Sequence, residues 1–263
     1  MWKASLLKIS ILFILLICFS GCKSEKEKVG VNMAWSADYM LSSREDIEVV
    51  RYNTVADLVM ALRFKKIDKA AMERPFAVEV LNCVDGLRII DETIATDGLV
   101  FAVNNEREDL LNELNEFFSR FKESKEKKEL FERLNSTEGY EYHKIENAKG
   151  SRMLSVGLPT DAYPYSYIDF ESGNYAGSDL EVITMFANEY GYTLEFTPGI
   201  FTTIEIGIGE GEFDVAIGSF CDAAREDAEV SEVFMMSDVY MEHEIVYIEV
   251  EDFNSLKVIS PLD

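Results

Sequence analysis

Residues 154–170, LSVGLPTDAYPYSYIDF, decide how this chain is organised. Leu154 to Leu158 read as a strand, and the aromatics that follow sit in a loop stiffened by Pro164. Further on, SDLEVITMFANEYG (178–191) sets Leu180, Ile183, Ala187 and Tyr190 at helical spacing and ends at Gly191. Strands are expected at YTLEF (192–196) and GEFDVAIG (211–218). Strand, aromatic loop, helix, strand, strand is the grammar of a small α/β lobe. Yet more than half of the 263 residues come before it, so the first half needs its own account.

That half follows the same order. VGV (29–31) is a short strand, NMAWSADYML (32–41) a loop with a possible helical turn, and IEVVRY (47–52) a second strand. A helix is expected from NTVADLVMAL, where Thr54 precedes Asp57 by three residues and Val55, Leu58, Val59 and Leu62 share a face. Ala70 to Met72 then make a buried strand, and KIDKAAM and EFDVAIG are the nearest thing to an internal repeat. Between the halves, Leu110, Leu111, Leu114, Phe117, Phe118 and Phe121 form the stripe of an amphipathic helix packed on a lobe, with a second short helix near Leu130 to Leu134. STEGYEYHKIENAKGSR (136–152) lacks apolar periodicity and reads as a linker with little to bury, the expected first site of proteolysis.

Bulk properties narrow the function classes. Lys3 and Lys8, the apolar run ISILFILLICF, and Ser20-Gly21 before Cys22 read as a secretory signal too short to be a permanent spanning helix. Its removal leaves 242 residues, two positive charges fewer than the formal −24 of the whole chain. So acidic a chain repels nucleic-acid phosphates and anionic membrane surface. Cys83 and Cys221 make no disulfide scaffold, and His143 and His243 are isolated, which argues against an imidazole metal site. No cofactor is expected.

FSGC, ending at Cys22, resembles the lipobox of bacterial lipoproteins, with Phe19 where Leu is usual, and implies a lipidated Cys22 on the outer face of the bacterial cell membrane; the alternative is an ordinary signal with a chance cysteine. The rest resembles the extracellular solute-binding proteins of the polar amino-acid class, with lobe order rotated. AYPYSY stands where that family has its aromatic loop, GSDLEV its helix start, and GEFDVAIGSFCDAAR its strand and ligand-clamping loop. In the first half, VGVNMAWSADYM resembles the strand and anion-binding helix start of the second lobe, KKIDKAAMERPFA its acid-bearing strand, and DGLVFAVNN the return across the hinge. The resemblance implies a two-lobed, periplasmic-binding-protein-like (class II) α/β fold, circularly permuted. Its parts are a signal peptide (1–21), a tether (22–28), the second lobe (29–103), the family's C-terminal helices (104–136), a linker (137–152), the first lobe (153–249) and a hinge or terminal segment (250–263). The rotated order requires lobes with separate sheets over 29–103 and 153–249, so that one continuous sheet would count against it, and it places Lys28 close to Asp263. The rival is the tail of one such domain fused to the head of another.

The resemblance also assigns a site. Arg225 is placed on a ligand carboxylate, although it sits in the acid-rich run DAAREDAE and could be a solvated arginine. Glu73 stands where the family meets the ligand ammonium, or it is a surface glutamate paired with Arg74. Ser36 could receive an anion or merely cap a helix. Tyr163, Tyr165, Phe201 and Trp35 match pocket walls, where ordinary packing is the alternative, and Gly218 and Phe220 lie in the clamping loop. Phe220 and Asp222 replace hydroxyl residues of the family, Ser178 replaces an aromatic, and SDVY lacks a usual proline. The implied function is capture of a small polar solute, an amino acid or related compound, for an ABC permease. The alternatives are a sensor that signals to a partner without transport and, third, a dehydratase or lyase on the same fold. No nucleophile with a base is evident, so an enzyme is not expected.

Overall fold

The computed structural model describes residues 26–251. The signal peptide, Cys22 and the end at Asp263 lie outside the described residues. β1 (Glu27–Asn32) leads through α1 (Ser36–Leu41) to β2 (Ile47–Tyr52), then α2 (Val55–Arg63), β3 (Lys69–Glu73) and α3 (Arg74–Cys83). Thr54 caps α2 as its spacing to Asp57 predicts: its hydroxyl accepts the Asp57 N–H at 3.0 Å. The long β4 (Leu87–Val103) is followed by α4 (Glu108–Phe121) and α5 (Lys125–Leu134).

After an irregular stretch come β5 (Arg152–Pro159), β6 (Asp161–Ala162), β7 (Ser166–Ile168), β8 (Tyr175–Ala176), α6 (Ser178–Tyr190), β9 (Tyr192–Gly199), α7 (Phe201–Glu210) and β10 (Val215–Cys221). A 3-10 turn (Asp222–Glu226), α8 (Ala228–Ser231), β11 (Met235–Met236) and β12 (Met241–Val250) complete the described chain. Gly191 ends α6 in the left-handed region, at φ 74°. Several features depart from the sequence reading, among them α3, α8 and β11, which it did not contain. The aromatic loop folds into a small antiparallel sheet, β6-β7-β8. Helix α7 is an addition, because Gly207, Gly209 and its β-branched residues dilute the helical signal.

Nine strands pair in the order β2-β1-β3-β12-β4-β10-β5-β9, with β11 also on β4. The arrangement is symmetric in its logic. β2, β1 and β3 are parallel and β12 runs antiparallel on β3; β9, β5 and β10 are parallel and β4 runs antiparallel on β10. Each half therefore builds three parallel strands and takes a fourth from the other half. The two exchanged strands pair with each other from Met241 opposite Leu99 to Val250 opposite Leu87. Their central neighbours Val29, Val31, Ala70, Val215 and Ile217 are fully buried, as strands covered on both faces must be.

This corrects the expectation of separate sheets. Spans 29–103 and 153–249 share one continuous sheet, because β4 and β12 both cross between the halves. The largest apolar cluster is continuous as well, running from Leu58 and Phe76 through Leu99 and Phe101 to Phe118 and Phe186.

The helices between the halves pack on the β5–β9–β10 side. Leu110, Leu114, Phe117, Phe118 and Phe121 are buried, with the Phe118 ring 5.4 Å from Phe101 and Phe117 5.7 Å from Phe186. Residues 137–150 have no regular structure, but they do not form a loose linker. Glu181, buried on α6, receives both Arg133 Nη atoms at 2.8 and 2.7 Å, the Tyr140 hydroxyl and the His143 N–H. Asn147 bonds to Asn188 and to the carbonyl of Tyr192. The segment is a strap tied along α6 and β9, which reverses the expectation that it is cut first.

Candidate functional site

The carboxyl ends of β1, β3 and β10 converge on one cavity of about 350 Å³, enclosed by residues of both halves. This is where open α/β sheets present ligands. From the first half come Met33, Trp35, Ser36, Tyr39, Glu73 and Phe76; from the second come Asp161, Phe201, Glu205, Gly218, Phe220, Phe234 and Met236. The Trp35 and Phe76 rings meet at 4.5 Å on one side. Phe220 lies between Phe201 at 5.0 Å and Phe234 at 5.6 Å on the other.

Of the residues expected from the sequence, Trp35, Ser36, Glu73, Phe201, Gly218 and Phe220 line this cavity together. Gly218 has φ 105°, and a Cβ there would lie 2.6 Å from the Pro159 ring. Only glycine fits that conformation and that gap. Its N–H and that of Ser219 both donate to Asp179 Oδ2, at 2.8 and 3.0 Å.

Three expected residues lie elsewhere. Arg225 faces a separate open cavity, where its guanidinium is held by Asp222 at 2.8 Å and by the carbonyls of Met236 and Ser237. A local acid and two carbonyls satisfy its donors, so it does not reach into the cleft. Tyr163 turns toward the strap: its hydroxyl accepts the Tyr140 N–H at 3.3 Å and its ring packs on Tyr167. Tyr165 is fully buried beneath the cavity and bonds to His243.

Glu73 does not pair with Arg74, which instead bonds to Glu244 at 2.6 Å. Glu73 is only 2% exposed, and its Oε2 has no hydrogen-bond partner. Burial, and then the nearby Asp97, push its carboxyl up to about 7 from the usual 4.5, against hydrogen bonds from its own backbone and from Ser36. Asp97, on β4, accepts from the N–H groups of Gly98 and Ala223, leaving Oδ2 unpaired; burial raises its pKa as well. Burial also raises the pKa of Glu205 on α7.

Sequence reasoning missed Phe76, Asp161 and Glu205 of the lining and, beside it, His243, set aside as isolated. Its Nε2 is 3.0 Å from Ser36 Oγ and its Nδ1 is 2.9 Å from the Tyr165 hydroxyl. One imidazole on a crossing strand thus ties a helix start of one half to a loop of the other. Burial lowers its pKa to about 3, so the ring is neutral and donates one of these bonds while accepting the other. A signal was present: Met241, His243 and Ile245 alternate on β12, and all three are buried.

Two α/β halves joined by crossing strands, with a cavity at their strand ends, define a two-lobed periplasmic-binding-protein-like fold. Residues 154–254 match the model of the bacterial extracellular solute-binding proteins, family 3. The L-cystine-binding protein TcyA of Bacillus subtilis (strain 168) is 28% identical over 109 residues, or 41% of this chain and 39% of that protein. The chain thus spans about two fifths of the length of the curated relative that it matches. Among solved structures, the periplasmic VFT2 domain of Bordetella pertussis BvgS aligns at a TM-score of 0.42 with 11% identity, covering 86% of this chain and 81% of that one. The ligand-binding component of an ABC-type import system from Staphylococcus aureus, with zinc bound, aligns at 0.44 with 11% identity, covering 86% and 66%. Among the described residues, no helix is long and apolar enough to cross a membrane, and no cluster of His, Cys, Asp and Glu could hold a metal ion.

Proposed function

We propose that this chain is a lipid-anchored, extracytoplasmic receptor that captures a small polar solute, an amino acid or a related compound, and delivers it to an ABC importer. The observation that carries this reading is the cavity lined from both halves, with Glu73 in its lining and the Glu73 Oε2 buried without a partner. The family match over residues 154–254 supports solute binding as the activity. Binding without catalysis is supported by His243, which at a pKa of about 3 is too weak a base to activate the Ser36 hydroxyl.

The test is native mass spectrometry of full-length protein purified from membranes without denaturation. A retained solute, whose return to stripped protein shifts the emission of Trp35, is the expected result. Trp35 is the one tryptophan beyond the apolar amino-terminal run, so its emission reports on the cavity wall. Protein that carries no solute, and whose emission no fraction of cell extract changes, would overturn the reading. In the same preparation Cys22→Ala is expected to move the protein to the soluble fraction. A soluble wild type would remove the anchor, since firm retention needs the several chains of a mature lipoprotein.

The same reading takes the chain as a rotated member of its fold, against the continuous sheet that counts the other way, in which the crossing strands β4 and β12 alone join the halves. Support comes from the two complete four-strand units, where a head-to-tail fusion would leave incomplete ones. Register adds to it. Ile248 pairs with Ala70 and Ala70 with Gly30, so the end of β12 and the start of β1 lie two strand spacings apart, roughly 10 Å. A rearranged chain, 152–251 joined by a short Gly/Ser linker to 27–136, is expected to fold cooperatively with the same circular-dichroism spectrum. An unfolded product would count against the rotated order.

A further inference from the structure

Resting on that receptor reading, the charges around the cavity narrow the ligand. Three carboxylates border it, those of Glu73, Asp161 and Glu205, and the described lining residues include no Lys, Arg or His. Three backbone N–H groups beside the cavity that could receive a ligand carboxylate are already held by the protein's own acids, which leaves neutral side chains such as Asn53 and Thr202 as donors. Asp179 takes the N–H groups of Gly218 and Ser219 at 2.8 and 3.0 Å, and Asp161 takes the Phe201 N–H at 2.9 Å. Arg225 is bound to Asp222 outside the cavity.

A carboxylate entering here would lose its water for no cationic partner and would approach three like charges. An ammonium meets the opposite conditions. Glu73 Oε2 is buried, unpaired and an acceptor, and the Trp35 and Phe76 rings beside it can take a cation on their faces or an apolar body against them. At about 350 Å³ the space is at the lower end of small-ligand pockets.

We infer that the cavity takes a small amine with an aromatic or apolar body and no carboxylate, its ammonium paired with the Glu73 carboxylate. Such a ligand supplies the donor that the floor lacks and asks for no anion site.

Calorimetry on the full chain, stripped of retained solute, tests this at pH 8 with three probes on one skeleton: phenethylamine, L-phenylalanine and 3-phenylpropanoate. Phenethylamine is expected to bind about 30-fold or more tighter than phenylalanine, the size of effect that an unpaired charge in a closed site has, and phenylpropanoate not at all. Glu73→Gln is expected to weaken phenethylamine by a similar factor, and the probe comparison on wild type stands even if that variant folds poorly. Phenylalanine or phenylpropanoate binding as well as the amine overturns the amine inference and leaves the receptor reading intact. Binding of none of the three also overturns it, while a solute retained in native mass spectrometry would still uphold a receptor.

Discussion

In the absence of ligand, Glu73→Gln is expected to raise the melting temperature at pH 8, and the gain is expected to vanish by about pH 4. The buried carboxyl titrates near 7 in the folded chain against the usual 4.5. Below 4.5 it is protonated in both folded and unfolded states and takes nothing from stability. As pH rises from there toward 7 the unfolded chain releases a proton that the folded chain keeps, so stability falls through that window and the full cost is felt above it. The gap between the two values is worth about 3 kcal/mol, and a chain of this size gains about 2–4 °C per kcal/mol. The groups that face this carboxyl are Asp97 on β4, Tyr165, Cys221 and Ser36 with its partner His243. His243 loses stability as pH falls, being depressed to about 3, but it does so in both proteins and drops out of the difference. Thermal melts of wild type and variant at half-unit pH steps check the result; equal melting temperatures at pH 8 would mean that Glu73 is not held in an environment hostile to its charge. A charged carboxylate at this position is thus costly to keep in the folded chain.

Glu181→Ala is expected to lose about 3–5 kcal/mol of stability, the typical cost of breaking a buried ion pair from one side. The Glu181 side chain is 2% exposed and that of Arg133 17%, so the guanidinium left behind has little water to turn to. The substitution also strands the Tyr140 hydroxyl and the His143 N–H, which share the same carboxylate. Urea denaturation reads the loss directly. Limited proteolysis should show the location: wild type resists cleavage between 137 and 150, and the variant is cut there first. Because the strap lies on α6 and β9, away from the cavity, ligand affinity of the folded fraction is expected to stay unchanged. A variant as stable as wild type would show that the strap is held by its other bonds, those of Asn147 and Asn188.

What lay open in the sequence was local in origin. The stripe from Leu110 to Phe121, the Thr54–Asp57 cap and the stop at Gly191 each follow from residues within a few positions of one another, and all three stand in the structure. The position of Glu73 at the end of β3 was legible from the strand before it, whereas Gly218 was singled out only by the family resemblance. What the tertiary structure alone decided was pairing over long separations. Ser36 and His243 are 207 positions apart and Tyr165 and His243 are 78, and no periodicity brings them together. Arg225 was misplaced because a guanidinium follows whichever acceptors the fold offers, here Asp222 and two carbonyls, and those become neighbours only when the 3-10 turn packs beside Met236. Tyr163 and Tyr165 share a short aromatic run, yet one packs on the strap and the other under the cavity. Hydrophobicity determines that such rings are covered; the shape of the folded chain determines by what.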